Sequence, residues 1–146
     1  MTQLFGDFEE DSCVSQEYLV LGFSPSSIPV KQRWRNNGLS ADFLADYLTT
    51  FYPVDPNDPD SVYKRKEIKS AVSYIANELL ENAIKFHDEL SQHPISIQMR
   101  LRDGMLKFCV TNSVRPQALK KFKDFIHEVT ENDPQELYIA NWNKML

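Results

Sequence analysis

The sequence predicts an α+β fold, with helices layered on a small sheet, and three observations predict it. Apolar residues recur three and four apart from Val72 to Leu90, the spacing of a long amphipathic helix. Directly afterwards Ile95 to Leu101 alternates apolar and polar residues, Asp103-Gly104 supplies a tight turn, and Met105 to Thr111 returns, which is the pattern of a β-hairpin. A short apolar run, Tyr18-Leu-Val-Leu-Gly-Phe23, stands ahead of the helical segments as a buried strand.

The remaining elements follow in chain order. Residues 1–16 carry Asp7, Glu9, Glu10 and Asp11 with no basic residue, and read as an acidic flexible leader. The domain is expected over 17–146. After the first strand, Ser24-Pro-Ser-Ser27 is a break. Ile28 to Arg35 alternates Ile28, Val30, Gln32 and Trp34 as a second strand, and Asn36-Asn-Gly38 is a turn. Ser40 is the expected N-cap of a helix through Phe51, with Phe43, Leu44, Tyr47, Leu48 and Phe51 on one face. Pro53 ends it, and Val54 to Asp60 is a polar, proline-stiffened loop. The long helix is expected from near Ser61 to about Gln92, with a stripe of Val72, Ile75, Ala76, Leu79, Ala83, Phe86 and Leu90. Another amphipathic helix spans Pro116 to about Thr130, using Leu119, Phe122, Phe125, Ile126 and Val129. Asp133-Pro134-Gln-Glu136 combines an N-cap, a proline at N1 and an acid at N3, so a last helix starts there.

Composition narrows the function classes. A chain of 146 residues with 42% hydrophobic and 25% charged residues buries a core and is not disordered throughout. A net charge of −5 argues against general nucleic-acid binding. The basic runs Lys64-Arg65-Lys66 and Lys120-Lys121 read as solvated helix faces. No apolar run approaches the ~20 residues of a membrane span, and no signal peptide opens the chain. Cys13 and Cys109 form neither a disulfide framework nor a metal spacing. A reduced, cytoplasmic protein is the expectation, with no nucleic acid and no membrane as partner. His87, His93 and His127 are scattered, and His87 either lines the rim of a site or faces solvent. Trp34 with Arg33 and Arg35 reads either as a partner-binding ridge or as a charged edge strand. Phe122, Phe125, Tyr138 and Trp142 read as core or dimer seam, and Cys109 as a packed thiol.

The chemistry concentrates on one segment of the long helix. At about 100° per residue, Glu78, Asn82 and Lys85 share one border of the stripe centred on Leu79. A carboxylate at such a border is a candidate general base. A carboxamide offers a neutral oxygen to a hard cation that keeps most of its waters, and a lysine reaches anionic oxygens. The same three residue types also occur on any solvated helix face.

The run Glu78-Leu-Leu-Glu-Asn82-Ala-Ile-Lys85-Phe86 resembles the N-box of the GHKL ATPase superfamily, which includes histidine kinases, anti-sigma-factor kinases, gyrase and Hsp90. Together with Tyr18-Leu-Val-Leu-Gly-Phe-Ser-Pro25, Arg33-Trp-Arg-Asn-Asn-Gly38 and Val110-Thr-Asn-Ser113, it makes the chain similar, from Tyr18 to about Tyr138, to small bacterial GHKL-type proteins of the SiaB protein-kinase family. The resemblance implies a two-layer α/β sandwich of the GHKL (Bergerat) type, a mixed sheet covered on one face by the helices near 41–51, 61–92 and 117–130. It implies ATP and Mg²⁺ as cofactors, with Glu78 as general base, Asn82 as the Mg²⁺ ligand, Lys85 on phosphate and Asn112 on adenine. The implied activity is phosphorylation or binding of a small anti-sigma-antagonist-like protein in bacterial signalling.

Two departures stand against that pattern. The superfamily follows the hairpin with Asp-x-Gly-x-Gly; here the place reads Val110-Thr-Asn112-Ser-Val-Arg-Pro116, with a neutral Asn112 and neither glycine. The four glycines are Gly6, Gly22, Gly38 and Gly104, and none follows position 104. The domain is therefore expected to lack the glycine-rich lid and the final strand, either as a chain truncated at its C-terminus relative to that family or as one that has lost phosphate binding, and an unpaired sheet edge would favour a homodimer. A nucleotide-free interaction or dimerisation module of the same ancestry is the alternative reading.

Overall fold

The computed structural model describes residues 2–7, 17–24 and 34–137, with the side chains of 34–37 outside that description. The chain divides into two compact units, Ser15–Ser113 and a second formed by Met1–Val14 with Val114–Leu146.

The larger unit is α+β. Its elements run β1 (Glu17–Phe23), α1 (Trp34–Thr49), α2 (Pro59–Phe86), β2 (Ile95–Arg102) and β3 (Met105–Thr111). The three strands form one sheet in the order β1-β2-β3. Both pairings are antiparallel, where a mixed sheet was expected. The reason is local for β2 and β3. Arg102 pairs with Met105 across a two-residue turn, in which Asp103 and Gly104 take φ of 49° and 74°. Positive φ at both positions gives the turn whose twist matches antiparallel strands.

One face of the sheet is apolar. Ile95, Ile97 and Met99 of β2 are fully buried, and Leu19, Leu21, Phe23, Leu101, Leu106, Phe108 and Val110 are partly buried against the core. The register explains the other face: Tyr18, Arg100 and Lys107 align across the strands, as do Val20, Gln98 and Cys109, and Tyr18 and Val20 are exposed. Period-two alternation sorts these residues onto opposite faces. Cys109 is a free thiol on the outer face and half-buried.

The helices cover the apolar face. α1 buries Ala41, Leu44, Ala45 and Leu48, an i, i+3, i+4, i+7 set. It starts at Trp34, so Asn36-Asn-Gly38 lies within the helix and Ser40 is an interior residue. The strand expected over 28–35 is not its conformation from 34 onward, and residues 25–33 lie outside the described residues. Phe43, expected in the stripe, is exposed, whereas Tyr47 and Phe51 meet edge-on with ring centroids 5.5 Å apart.

α2 starts earlier than expected. Asp58 accepts the Asp60 N–H at 3.0 Å, with Pro59 at the first helical position. That is the capping logic already evident at Asp133-Pro134, hidden here in a stretch dense with prolines and acids. α2 ends at Phe86, and residues from His87 to Pro94 form the turn that the expected helix to Gln92 would have occupied. Its buried residues are Val72, Ala76, Leu80, Ala83 and Ile84.

In the smaller unit, a 3-10 turn (Pro116–Ala118) leads into α3 (Leu119–Glu131). α3 buries no side chain completely, and Leu119, Phe122, Phe125 and Val129 are exposed. Phe5 packs edge-on to His127 at 5.1 Å between centroids. Asp133 caps a final described turn, its Oδ1 accepting the N–H groups of Gln135 and Glu136 at 2.8 and 3.2 Å. Tyr138 and Trp142 lie outside the described residues.

Candidate functional site

The residues singled out on α2 sit on its outer face. With Leu80 at zero and about 100° per residue, the buried residues Val72, Ala76, Ala83 and Ile84 span roughly −80° to +40°. Glu78, Asn82 and Lys85 fall at roughly 160°, 200° and 140° by the same geometry. All three are exposed. The border position expected for them, half in the core, is thus not where they lie. The apolar pattern on α2 is wider than the arc covered by α1 and the sheet, so its apparent centre on Leu79 is displaced from the true one near Ala76 and Leu80. The uncovered part includes Ile75 and Phe86, 44% and 60% exposed. Both fall on the Asn82 side of the outer face, at roughly −140° and −120°. In helical phase Asn82 therefore lies between these two exposed apolar side chains and the pair Glu78 and Lys85.

Lys85 has a defined neighbour. Its Nζ lies 5.3 Å from the Phe86 ring centroid, a cation–π distance. Glu81, one turn before Lys85, accepts from Asn77 Nδ2 at 2.8 Å.

The end of α2 is joined to the end of β3. Ser113 directly follows Asn112, and its polar groups are engaged by the turn after α2. Its backbone N–H donates to His87 Nδ1 at 3.3 Å. Its carbonyl accepts the Asp88 N–H at 2.9 Å, and its hydroxyl pairs with Ser91 Oγ at 2.7 Å. The turn itself is held by Asp88, which accepts from Leu90 and Ser91. Asn112 is half-buried, and its Nδ2 donates to the Ser113 carbonyl at 3.4 Å. His87 is about 1.4 helical turns beyond Asn82, a rise of about 7.5 Å. The connection places Asn112 near the C-terminal end of α2, while Glu78, Asn82 and Lys85 point away from the arc of α2 that packs on the sheet.

His87 was expected at a rim or in solvent and is instead buried, at 6% exposure. Burial pushes its imidazole below the usual histidine range, against the opposing pull of Asp88 and Glu89. A neutral ring with Nε2–H leaves Nδ1 to accept the Ser113 amide. The signal that could have found it is that helical phase puts position 87 in line with Ala76, Leu80 and Ala83.

A second concave feature lies between α1 and α2, an open groove of about 680 Å³ lined by Asp42, Lys66, Ser70, Ser73, Tyr74 and Asn77 among others. Ser73 Oγ donates to Asp42 Oδ1 at 2.7 Å, and Lys69 pairs with Asp46. None of Glu78, Asn82, Lys85 and Asn112 lines it. Among the described residues no group of three or more His, Cys, Asp or Glu side chains is placed to hold a metal ion. No described helix is long and apolar enough to cross a membrane. The side chains of Arg33, Trp34 and Arg35 lie outside the description, so the ridge expected there has no structural account.

These features define an α+β domain with a polar cluster on one helix and a hydrogen-bonded link from that helix to an edge strand. No family model, curated protein or solved structure matches the chain.

Proposed function

We propose that the chain is a GHKL-type, ATP-dependent protein kinase-like regulator that phosphorylates or binds a small anti-sigma-antagonist-like protein. The observation that carries this reading is the Ser113 connection. It ties the strand end bearing Asn112 to the end of the helix bearing Glu78, Asn82 and Lys85. In the superfamily that the N-box resembles, these two places hold the nucleotide between them.

The residues fit the group. Mg²⁺ retains several waters and takes few protein ligands beside phosphate oxygens. An exposed carboxamide suits that, and no all-protein cage is needed. Mg-ATP supplies the phosphoryl group and the charge neutralisation that its transfer requires. Asn82 offers its Oδ1 to the hydrated cation. Lys85, held at the last turn of α2 by the Phe86 ring, places a positive charge for phosphate oxygens. Glu78, one turn before Asn82, accepts the proton of a partner hydroxyl in the same exposed strip. Asn112 presents an amide to the adenine edge, with its Nδ2 already engaged by the Ser113 carbonyl. Exposure of the trio suits a protein substrate, since a partner's hydroxyl reaches it without passing through a pocket.

The test is phosphoryl transfer from labelled ATP to a small anti-sigma-antagonist-like protein. Glu78→Gln is expected to keep ATP binding and to lower transfer by about 10²- to 10⁴-fold, the usual contribution of a general base. Unchanged transfer would remove Glu78 from the mechanism.

A second reading is a nucleotide-free interaction module, by docking or as a homodimer. It is favoured by a specific observation: the segment after β3 has no glycine to cradle phosphates, while α3 presents Leu119, Phe122, Phe125 and Val129 exposed. Mg-ATP binding separates the two readings.

A further inference from the structure

We infer that His87 is a positioning residue, whose neutral imidazole clasps the end of β3 to the end of α2 and lets go when it takes up a proton. The role of the clasp in nucleotide binding rests on the function proposed above. The clasp itself does not.

His87 is the C-cap of α2 and is buried. Its backbone N–H donates to the Ile84 carbonyl at 3.4 Å, so the residue is fixed by the last helical turn. Nδ1 is then the acceptor for the Ser113 N–H. An imidazolium has two donors and no acceptor. Protonation therefore sets two N–H groups against each other at 3.3 Å in a buried place, and the arrangement cannot persist.

The surroundings decide how the proton acts. Among the described residues, the charged groups that act on the ring are on its own turn, Asp88 and Glu89. His93, the other titratable residue of that turn, is exposed and donates its backbone N–H to Ser91 Oγ at 3.1 Å. Lys85, on the preceding helical turn, is exposed with its ammonium over Phe86. Across from the ring, the strand end Thr111-Asn112-Ser113 carries no charge. Desolvation outweighs the two acids, so the neutral form prevails near pH 7.

Ser113 links this event to Asn112. Ser113 makes three bonds to the turn after α2: one to His87, one from Asp88 and one with Ser91. Two of the three pass between backbone or hydroxyl groups that do not titrate near neutral pH. Only the His87 bond is proton-sensitive. Its loss frees the Ser113 amide and loosens Asn112, the adjacent residue, without unfolding the core built on Leu44, Leu80, Ile97 and Met99. Mild acid should therefore weaken contact with the adenine edge while leaving the exposed trio on α2 in place.

The experiment follows the Ser113 amide by hydrogen exchange in the whole chain from pH 8 to pH 5, corrected for intrinsic exchange, and measures Mg-ATP affinity over the same range. In the native protein, protection at Ser113 is expected to fall by about tenfold per pH unit below the His87 titration, with core amides such as Leu80 unchanged. His87→Asn keeps an acceptor near the Nδ1 position that does not titrate, and its Ser113 protection is expected to stay flat. Native protection independent of pH would overturn the clasp, and this arm needs no variant to fold. Loss of Ser113 protection with ATP affinity unchanged would overturn the positioning of Asn112. Absence of ATP binding at every pH would defeat the nucleotide reading, and Ser113 exchange would still decide the clasp.

Discussion

The two faces of α2 obey different rules. The inner face, Val72, Ala76, Leu80, Ala83 and Ile84, is apolar and closed against the sheet and α1. The outer face mixes Glu78, Asn82 and Lys85 with Ile75 and Phe86, all exposed. Folding explains the first set residue by residue. It explains nothing of the second, because an exposed helix face accepts almost any good helix former. What stands on the outer face is thus free to serve another purpose, and its contribution can be measured apart from stability.

The largest effect is expected on the inner face. Leu80→Ala removes a completely buried side chain between α1 and the sheet and should cost about 2–5 kcal/mol in urea denaturation. A cost below about 1 kcal/mol would mean that the helix packs elsewhere. Acid comes next. The folded-state pKa of His87 lies below its ordinary value, so the unfolded chain binds the proton more readily. The stability due to neutral His87 is fully present above about pH 6.5, the unfolded value. It is lost as pH falls through the lower folded value. Urea midpoints should drop between pH 7 and pH 5 in the native chain and drop less in His87→Asn. Smaller again is Lys69→Ala, which breaks an ion pair with Asp46 between two half-exposed or exposed groups and should change stability by no more than about 1 kcal/mol. The smallest stability change belongs to the outer face: Glu78→Ala and Asn82→Ala are expected to shift stability within about ±0.5 kcal/mol. A large loss in either would erase the contrast between the faces.

Much of the fold was legible, for physical reasons that hold within short windows. The Asp103-Gly104 turn fixed the hairpin because positive φ at both positions selects it. Asp133-Pro134 marked a helix start because cap and proline act on adjacent residues. The misses arose where tertiary contacts decide. Trp34 to Gly38 joined α1 despite a turn-like sequence, since local propensity is a weak prior. The true centre of the α2 stripe depended on which sides α1 and the sheet would cover, and local pattern carries no information on that. Leu90 shows the same limit: it continued the helical spacing, yet α2 stops at Phe86 and Leu90 is 89% exposed. For the site, Glu78, Asn82, Lys85 and Asn112 were readable as residues, but their exposure was not. The burial of His87 and its bond to Ser113 join positions 26 residues apart, which no short window contains.

In the function proposed above, the outer face of α2 holds a nucleotide through Asn82. Calorimetric titration of Mg-ATP into the native chain and into Asn82→Ala tests it most directly, because the substitution leaves the fold intact. The native chain is expected to bind saturably, and the variant to lose at least about tenfold in affinity, or roughly 1.4 kcal/mol. Equal affinity in the two proteins, or no heat of binding in either, would contradict it.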